Sequence, residues 1–275
     1  MPIVAILGAG PLAGALAHKL AVRGRVSAVR LIDAQESVAR GKALDIVQSG
    51  PVDGFATRVT GDGSHLAALG ADVVVIADAV DGTEHAGEAA LATVRQLTAA
   101  GLTAPLVFAG GMQRELMMRC VGELRIRPQH VVGSAPGALA SAMRALAGVV
   151  LDTSPVEISL MVVGVPPRQG VVTWQEATVS GQPLPNVMPA HEIATLTARM
   201  PGLWPPGAYA LGSAAARVAE ALCHGSRRQF CCFVDAGRGS IVALPVVLGR
   251  GGVKQVLQPV LTSAERTLLE TALGG

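Results

Sequence analysis

Short apolar runs alternate with longer segments of helical spacing over the first half of the chain. Each run is apolar throughout, as in parallel strands that are covered on both faces. The alternation of strand and helix predicts an α/β fold built on a doubly wound parallel sheet of the Rossmann type. The predicted strands are 4–7, 29–32, 72–77, 105–109 and 131–133, and the predicted helices are 11–22, 37–48, 87–100 and 115–124.

The second half mixes strands and helices less regularly, which predicts a C-terminal α+β domain. Its predicted strands are 159–165, 171–179, 229–234 and 241–248, and its predicted helices are 191–200, 212–223 and 263–273. We expect the boundary near residues 146–155, which gives a first domain of residues 1–148 and a second of residues 149–275.

Composition narrows the function classes. A chain of 275 residues with 50% hydrophobic residues can bury its own core, and a net charge of +2 is too balanced to suggest a nucleic-acid partner. No apolar run reaches about 18 residues, so no membrane span is expected. The four cysteines form no C-x-x-C pair, so we predict buried thiols, no metal site and a reducing, cytoplasmic location.

A glycine-rich loop links the first predicted strand to the first predicted helix. It fits G-x-G-x-x-A: Gly8 permits the tight turn, Gly10 lets the backbone approach a pyrophosphate, and Ala13 allows close packing. A helix N-terminus also offers free N–H groups to phosphates. Asp33 ends the second strand, where a carboxylate accepts both ribose hydroxyls of NAD. The loop residues predicted to bind the cofactor are Gly8, Gly10, Pro11, Leu12 and Ala13; alternatively, the glycines serve only the fold.

Longer stretches resemble one enzyme family. GAGPLAG, LIDA and GKALDIVQSGPVDGF (8–14, 31–34 and 41–55) are similar to the opening of the lactate/malate dehydrogenase superfamily, as is GADVVVIADAV (70–80). The resemblance implies an NAD-binding domain, a substrate domain for a small 2-hydroxy or 2-keto acid, and homodimers or homotetramers. It also makes Ala77 a cofactor-binding position. Later segments match in order: VVGSAPGALASAMRA, GQPLPNV, GAYALGSAAARVAEAL and LPVVLGRGGVKQVL.

The side chains that the family's chemistry needs are missing at the matching positions. Hydride transfer from a 2-hydroxy acid requires a base, which is a His held by a carboxylate, and an Arg that clamps the substrate. The base segment matches residues 163–168, and the chain has no His between His130 and His191. The carboxylate and clamp positions hold Ala140 and Met143. Arg144 lies one residue late, about 100° around the helix, and is therefore predicted to be a surface charge.

The mobile-loop segment departs from the family as well. Residues 81–88 form a short acidic stretch where the family carries arginines, and His85 within it is predicted to be solvated. The family's T-N-P segment is replaced by residues 109–112. Its T-A-G segment matches residues 77–79, which places Asp78 beside the expected cofactor. That carboxylate opposes NAD binding if it faces the pyrophosphate and is harmless if it faces away.

Two hypotheses remain. In the first, the chain is a catalytically degenerate homologue without catalytic residues, which senses NAD(H) or pairs with an active paralogue through helices such as 37–48. In the second, it is an NAD-dependent oxidoreductase that uses Arg168, Tyr209 or His85 on another small 2-hydroxy or 2-keto acid. A filled apolar cleft favours the first hypothesis, and a closed polar pocket beside the nicotinamide position favours the second.

Overall fold

The computed structural model describes residues 2–237 and 239–274. In this part of the chain, ten strands form the path β3-β2-β1-β4-β5-β6-β12-β13-β8-β9, and β14 pairs with β13. The strands are β1 Ile3–Leu7, β2 Ala28–Ile32, β3 Arg58–Asp62, β4 Val73–Ile76, β5 Leu106–Phe108, β6 Val131–Gly133, β7 Ile158–Ser159, β8 Val162–Val165, β9 Gln169–Val172, β10 Thr178–Val179, β11 Gln182–Pro183, β12 Gln229–Asp235, β13 Ile241–Gly249 and β14 Gly252–Val256. The helices are α1 Pro11–Arg23, α2 Glu36–Asp53, α3 Gly87–Ala99, α4 Arg114–Gly122, α5 Ala135–Val150, α6 Leu184–Val187, α7 Ala190–Arg199, α8 Ala208–His224 and α9 Ser263–Gly274.

The first six strands are parallel and follow the order 3-2-1-4-5-6, which is the doubly wound arrangement predicted from the sequence. Strands β4, β5 and β6 are buried at every residue because helices cover both faces. Strand β3 is the exception that the pattern missed. It lies at the edge of the sheet, and only Val59 of its sequence RVTGD is buried.

The second half continues the same sheet. Strand β12 runs antiparallel to β6, with Phe233 opposite Gly133, and β13, β8 and β9 follow it. The predicted strands 159–165 and 171–179 are wrong in extent, because each is divided between two sheets. Their inner parts form the β8–β9 hairpin, and their outer parts join the small sheet β11-β10-β7. The boundary after residue 148 falls inside α5, so the division into two domains stays a prediction.

Helix α8 lies directly against α1, which ties the two halves of the chain together. A Cβ added to Gly212 would lie 2.9 Å from the backbone nitrogen of Leu16, so the helices touch through their backbones. At the far end of this contact, Glu220 is only 3% exposed and accepts two hydrogen bonds from Arg23. The second half of the chain thus holds the helix that begins at the glycine loop.

The four cysteines are buried and free, as predicted. Burial raises the pKa of the Cys120, Cys223 and Cys231 thiols to about 12, so these side chains are neutral packing groups rather than nucleophiles. Within the described residues, no helix is both long enough and apolar enough to cross a membrane.

Candidate cofactor and substrate site

The glycine loop leads from the end of β1 into α1, as predicted. Gly8 adopts a φ of +120°, and a Cβ at this position would lie 2.1 Å from the carbonyl oxygen of Asp78. Any larger residue would therefore displace the segment that follows β4. The glycine loop and the segment after β4 are therefore in backbone contact at this edge of the sheet.

Asp78 occupies the first turn of α1. Its side chain is buried, and its two carboxylate oxygens accept hydrogen bonds from the backbone N–H groups of Leu12 (2.9 Å) and Ala13 (2.8 Å). A Cβ on Gly10 would lie 2.4 Å from the same carboxylate. The second glycine thus makes room for an aspartate of this chain, where the sequence predicted room for a pyrophosphate. The negative charge is well placed, because the N-terminus of a helix carries a partial positive charge.

A pyrophosphate does not fit this arrangement. It would need the N–H groups of Leu12 and Ala13, which already donate to Asp78, and it would bring negative charge against a buried carboxylate. The sequence left open whether Asp78 faces the expected pyrophosphate or faces away from it. In the structure it faces the N-terminus of α1, where the pyrophosphate was expected. NAD can occupy the loop only if this side chain moves away.

The ribose end of the site is partly prepared. Asp33 is buried at the end of β2, where the sequence predicted it, and its carboxylate oxygens accept hydrogen bonds from Ala9 N (3.1 Å) and Gln35 N (2.9 Å). Two bonds leave lone pairs on the carboxylate for further donors. Asp33 thus fixes the turn of the glycine loop and keeps some acceptor capacity for a ribose.

The acidic loop after β4 is a tight turn held against the sheet. Glu84 accepts hydrogen bonds from Gly111 N and Met112 N, both at 2.8 Å. Gln113 is fully buried and links Gly110 N to the carbonyls of Ala77 and His85. The roles of Glu84 and Gln113 were missed, because only the folded path of the loop brings them onto this segment.

His85 is partly buried in the cleft, so the prediction of a solvated imidazole is wrong. Burial lowers its pKa, and the negative charges of Asp33, Asp78 and Asp81 oppose that shift only in part. Its own backbone is fixed, because His85 N donates to the Ala77 carbonyl. The loop therefore holds this neutral imidazole beside carboxylates.

Lys42 was also missed by the sequence analysis. It extends from α2 and donates from its Nζ to the carbonyl of Gly10 at 2.9 Å. This contact holds the glycine loop in addition to the hydrogen bonds of Asp78.

The substrate side of the site is apolar. Ala140 (4% exposed) and Met143 (0%) lie on α5 and pack into a hydrophobic cluster with residues of the second half, including Trp174 and Met200. Arg168 is exposed on the β8–β9 hairpin, and its side chain has no hydrogen bond among the described residues. The side chain of Tyr209 is 85% exposed.

Arg144 is not the surface charge that its position on α5 suggested. Its side chain is half-buried, and its Nε is fully buried without a hydrogen-bond partner. Residues of the segment after α5 and of α8 cover this face of the helix, which the sequence alone did not indicate.

Residues 3–91 match the family described as lactate/malate dehydrogenase, NAD binding domain. Over this N-terminal segment, the chain is similar to the NAD-binding domain of lactate/malate dehydrogenases. A malate dehydrogenase of Thermomicrobium roseum is 29% identical over 97% of this chain and 93% of its own length. A malate dehydrogenase of Cereibacter sphaeroides is 27% identical over 99% and 93%.

Solved structures show the same fold over nearly the whole chain. The malate dehydrogenase of Salinibacter ruber superposes with a TM-score of 0.84 at 24% identity, covering 99% of this chain and 94% of that one. A lactate dehydrogenase from a Medee basin deep-sea metagenome reaches a TM-score of 0.87 at 18% identity, covering 99% and 96%. The chain thus shares the fold of these dehydrogenases, and at its glycine loop the carboxylate of Asp78 occupies the N-terminus of α1.

Metal chemistry finds no support at this site. Across residues 2–237 and 239–274, no group of three or more His, Cys, Asp or Glu side chains is placed to hold a metal ion.

Proposed function

We propose that this chain is a catalytically degenerate relative of the lactate/malate dehydrogenases that acts through its contacts with other chains, and that NAD(H) binds only when Asp78 moves away from the glycine loop. The carrying observation is the packing of Ala140 and Met143 into the hydrophobic cluster on α5. These are the positions where the resemblance places the carboxylate that orients the base and the arginine that clamps the substrate. A buried alanine and a buried methionine can perform neither task.

The remaining groups do not replace that chemistry. Arg168 and Tyr209 are exposed, and the structure records no hydrogen bond between their side chains and His85. Base, carboxylate and clamp each commonly contribute about 10²-fold or more in rate, although such losses are not additive. A chain without all three is expected to have no ordinary malate or lactate dehydrogenase activity.

A role in assembly is supported by the exposed face of α2. Leu44 (57% exposed) and Val47 (42%) lie in the GKALDIVQSG stretch. This stretch strongly resembles the matching stretch of the superfamily, whose dimers use this helix. Large apolar side chains exposed together on one helix favour a protein contact. The proposed partner is a second copy of this chain or an active paralogue.

The test of degeneracy is a turnover assay with NADH and a panel of small 2-keto acids, including oxaloacetate and pyruvate. We expect no rate above the protein-free background. Calorimetric titration of NADH into the same protein checks whether absent turnover reflects absent cofactor. A saturable rate that is lost in Asp33→Ala would contradict the proposal.

The assembly role is tested by light scattering on the wild type and on Leu44→Asp. We expect a dimer or tetramer that shifts to a smaller species in the variant, because a charge cannot be buried in an apolar interface without a large cost. Leu66→Asp is the matched control, since Leu66 is 47% exposed but lies outside α2. A wild-type monomer that also fails to bind an active paralogue would overturn this part of the proposal.

The second hypothesis, an NAD-dependent oxidoreductase with non-standard residues, draws its support from His85. This imidazole is partly buried in the cleft near Asp33 and Asp78, as a general base would need to be. In that case the turnover assay gives a rate that His85→Gln abolishes while NADH binding persists.

A further inference from the structure

A cavity of about 390 Å³ lies between α5, α8 and the start of β12, away from the glycine loop. Three arginines line it: Arg144 from α5, Arg217 from α8 and Arg228 just before β12. No aspartate or glutamate is among the residues that line it. We call this cavity the arginine pocket.

Arg144 has a buried donor without a hydrogen-bond acceptor. Its Nε is buried, and among the described residues no acceptor lies within hydrogen-bonding distance of it. Burial away from water lowers the pKa of this guanidinium. Buried polar groups in folded proteins almost always have a partner, so a buried charged donor without one marks a place for an acceptor from outside the chain.

The other two arginines are also free of partners. Within the described chain, the side chains of Arg217 and Arg228 form no hydrogen bond and no ion pair. Desolvation lowers the pKa of Arg217, and the positive charges of Arg23 and Arg228 lower it further. Arg217 and Arg228 are exposed at the rim of the cavity, whereas Arg144 is half-buried, so three positive charges converge on one cavity from its rim and its wall.

The nearest carboxylate is already engaged. Glu220 lies one turn beyond Arg217 on α8, but it accepts two hydrogen bonds from Arg23 and lies 3.7 Å from Arg25. It attracts Arg217 only as a more distant charge. Arg217 and Arg228 also line the adjacent cavity beside Glu220, so Arg144 is the arginine of the pocket that has a buried donor without an acceptor in the described chain.

We infer that the arginine pocket binds a small polyanion that carries phosphate or carboxylate groups. Guanidinium groups bind both kinds of anion through paired N–H donors, and a partly enclosed cavity strengthens these charge-assisted bonds. The volume admits a small metabolite rather than a lone ion. The inference concerns a different part of the molecule from the NAD site and does not depend on whether that site is open.

The test is calorimetric titration of the full-length protein with pyrophosphate and, separately, with citrate at low ionic strength. We expect saturable binding of at least one of them in the wild type. Binding should weaken at least tenfold in Arg144→Met and in Arg217→Gln. Binding of pyrophosphate alone would identify a phosphate ligand, and binding of citrate alone a polycarboxylate.

Arg227→Gln is the matched control, because Arg227 is an exposed neighbour that lines an adjacent cavity and not this one. Asp78→Ala separates the two anion sites, since it opens the glycine loop without touching the pocket. The inference predicts that the pocket keeps its wild-type affinity in both controls for whichever anion binds. Equal affinity in every variant would overturn the inference. So would the absence of binding of either anion at about 10 mM.

A thermal melt gives a second readout that guards against misfolded variants. Without ligand, Arg144→Met should melt no lower than the wild type, because it removes a buried charge that has no partner. The anion that binds should then raise the melting temperature of the wild type and leave that of Arg144→Met unchanged. A lower melting temperature of the unliganded Arg144→Met would show that the guanidinium is already satisfied.

Discussion

Two places in this molecule are suited to negative charge, and they differ in where that charge comes from. At the first turn of α1, Asp78 supplies it from within the chain and satisfies Leu12 N and Ala13 N. In the arginine pocket, no carboxylate lines the cavity, and the Nε of Arg144 stays without a partner. The first site is complete without a ligand, and the second is not.

The contrast shows how a binding site can be kept as architecture while its ligand is replaced. A helix N-terminus needs an acceptor for its free N–H groups, and an aspartate meets that need as well as a phosphate does. Guanidinium groups brought together at a helix–helix contact have no such substitute in this fold. The N-terminus of α1 is thus engaged in a structural contact with Asp78, whereas the arginine pocket has the properties of a site.

The largest expected effect concerns Glu220, because its carboxylate pairs with Arg23 and Arg25 next to the pocket. Replacing Glu220 with glutamine removes a buried carboxylate and leaves Arg23 without its paired acceptor. Breaking a buried ion pair in this way costs about 3 kcal/mol or more. We expect the free energy of unfolding, measured by urea denaturation, to fall by that amount.

The control for this prediction is Glu270→Gln, an exposed glutamate on α9. Exposed charges contribute little to stability, so this variant should stay near the wild type. If Glu220→Gln were as stable as Glu270→Gln, the guanidinium of Arg23 would not depend on its internal partner. Pairing of an arginine with a buried carboxylate would then make no measurable contribution to the free energy of unfolding.

The sequence predicted the doubly wound sheet of the first half well, because its inner strands are apolar on both faces and alternate with helices. It missed β3 since an edge strand with one buried residue, Val59, carries no such pattern. The glycine loop and Asp33 were also predicted, because both depend on local turns at the ends of β1 and β2. Local geometry is encoded within a few residues.

The orientations of side chains that depend on other segments were not predictable. Asp78 is one residue beyond a recognisable strand, yet only the turn of residues 79–84 directs its carboxylate onto α1. Arg144 was assigned to the surface from its angle on the helix, whereas packing of α8 against α5 buries its Nε. Both side chains depend on contacts between segments that are far apart in sequence.

The second prediction tests whether Asp78 competes with NAD. In Asp78→Ala the carboxylate that occupies Leu12 N and Ala13 N is gone, and the position carries the residue expected from the superfamily's T-A-G segment. Two charge-assisted hydrogen bonds no longer need to be broken for a pyrophosphate to enter. We expect NADH to bind roughly 10- to 100-fold more tightly than to the wild type by calorimetry.

Asp81→Ala is the control, because Asp81 is an exposed carboxylate of the same loop that accepts only from Thr83. It should leave the affinity for NADH nearly unchanged. The gain in Asp78→Ala should also disappear when Asp33→Ala is added, since the ribose would lose its acceptor. Equal affinities for NADH in the wild type and Asp78→Ala would show that the helix terminus is not what limits binding.

The smallest expected effect concerns His85, whose imidazole lies among Asp33, Asp78 and Asp81. Burial lowers its pKa in the folded protein, so the unfolded chain takes up a proton more readily. The stability that His85 contributes is therefore fully present above its ordinary pKa, near 6.5, and is lost as the pH falls through the range below it.

Urea denaturation at pH 7.5 and pH 5.5 should show a smaller loss of stability in His85→Gln than in the wild type, since glutamine does not titrate. The loss should be larger in Asp78→Ala, because one of the charges that favour the protonated imidazole is removed. That second comparison ties the imidazole to the carboxylate at α1. If the three proteins lost the same stability between the two pH values, the charge of Asp78 would not affect the protonation of His85. The electrostatic interaction between the two side chains would then be too weak to measure.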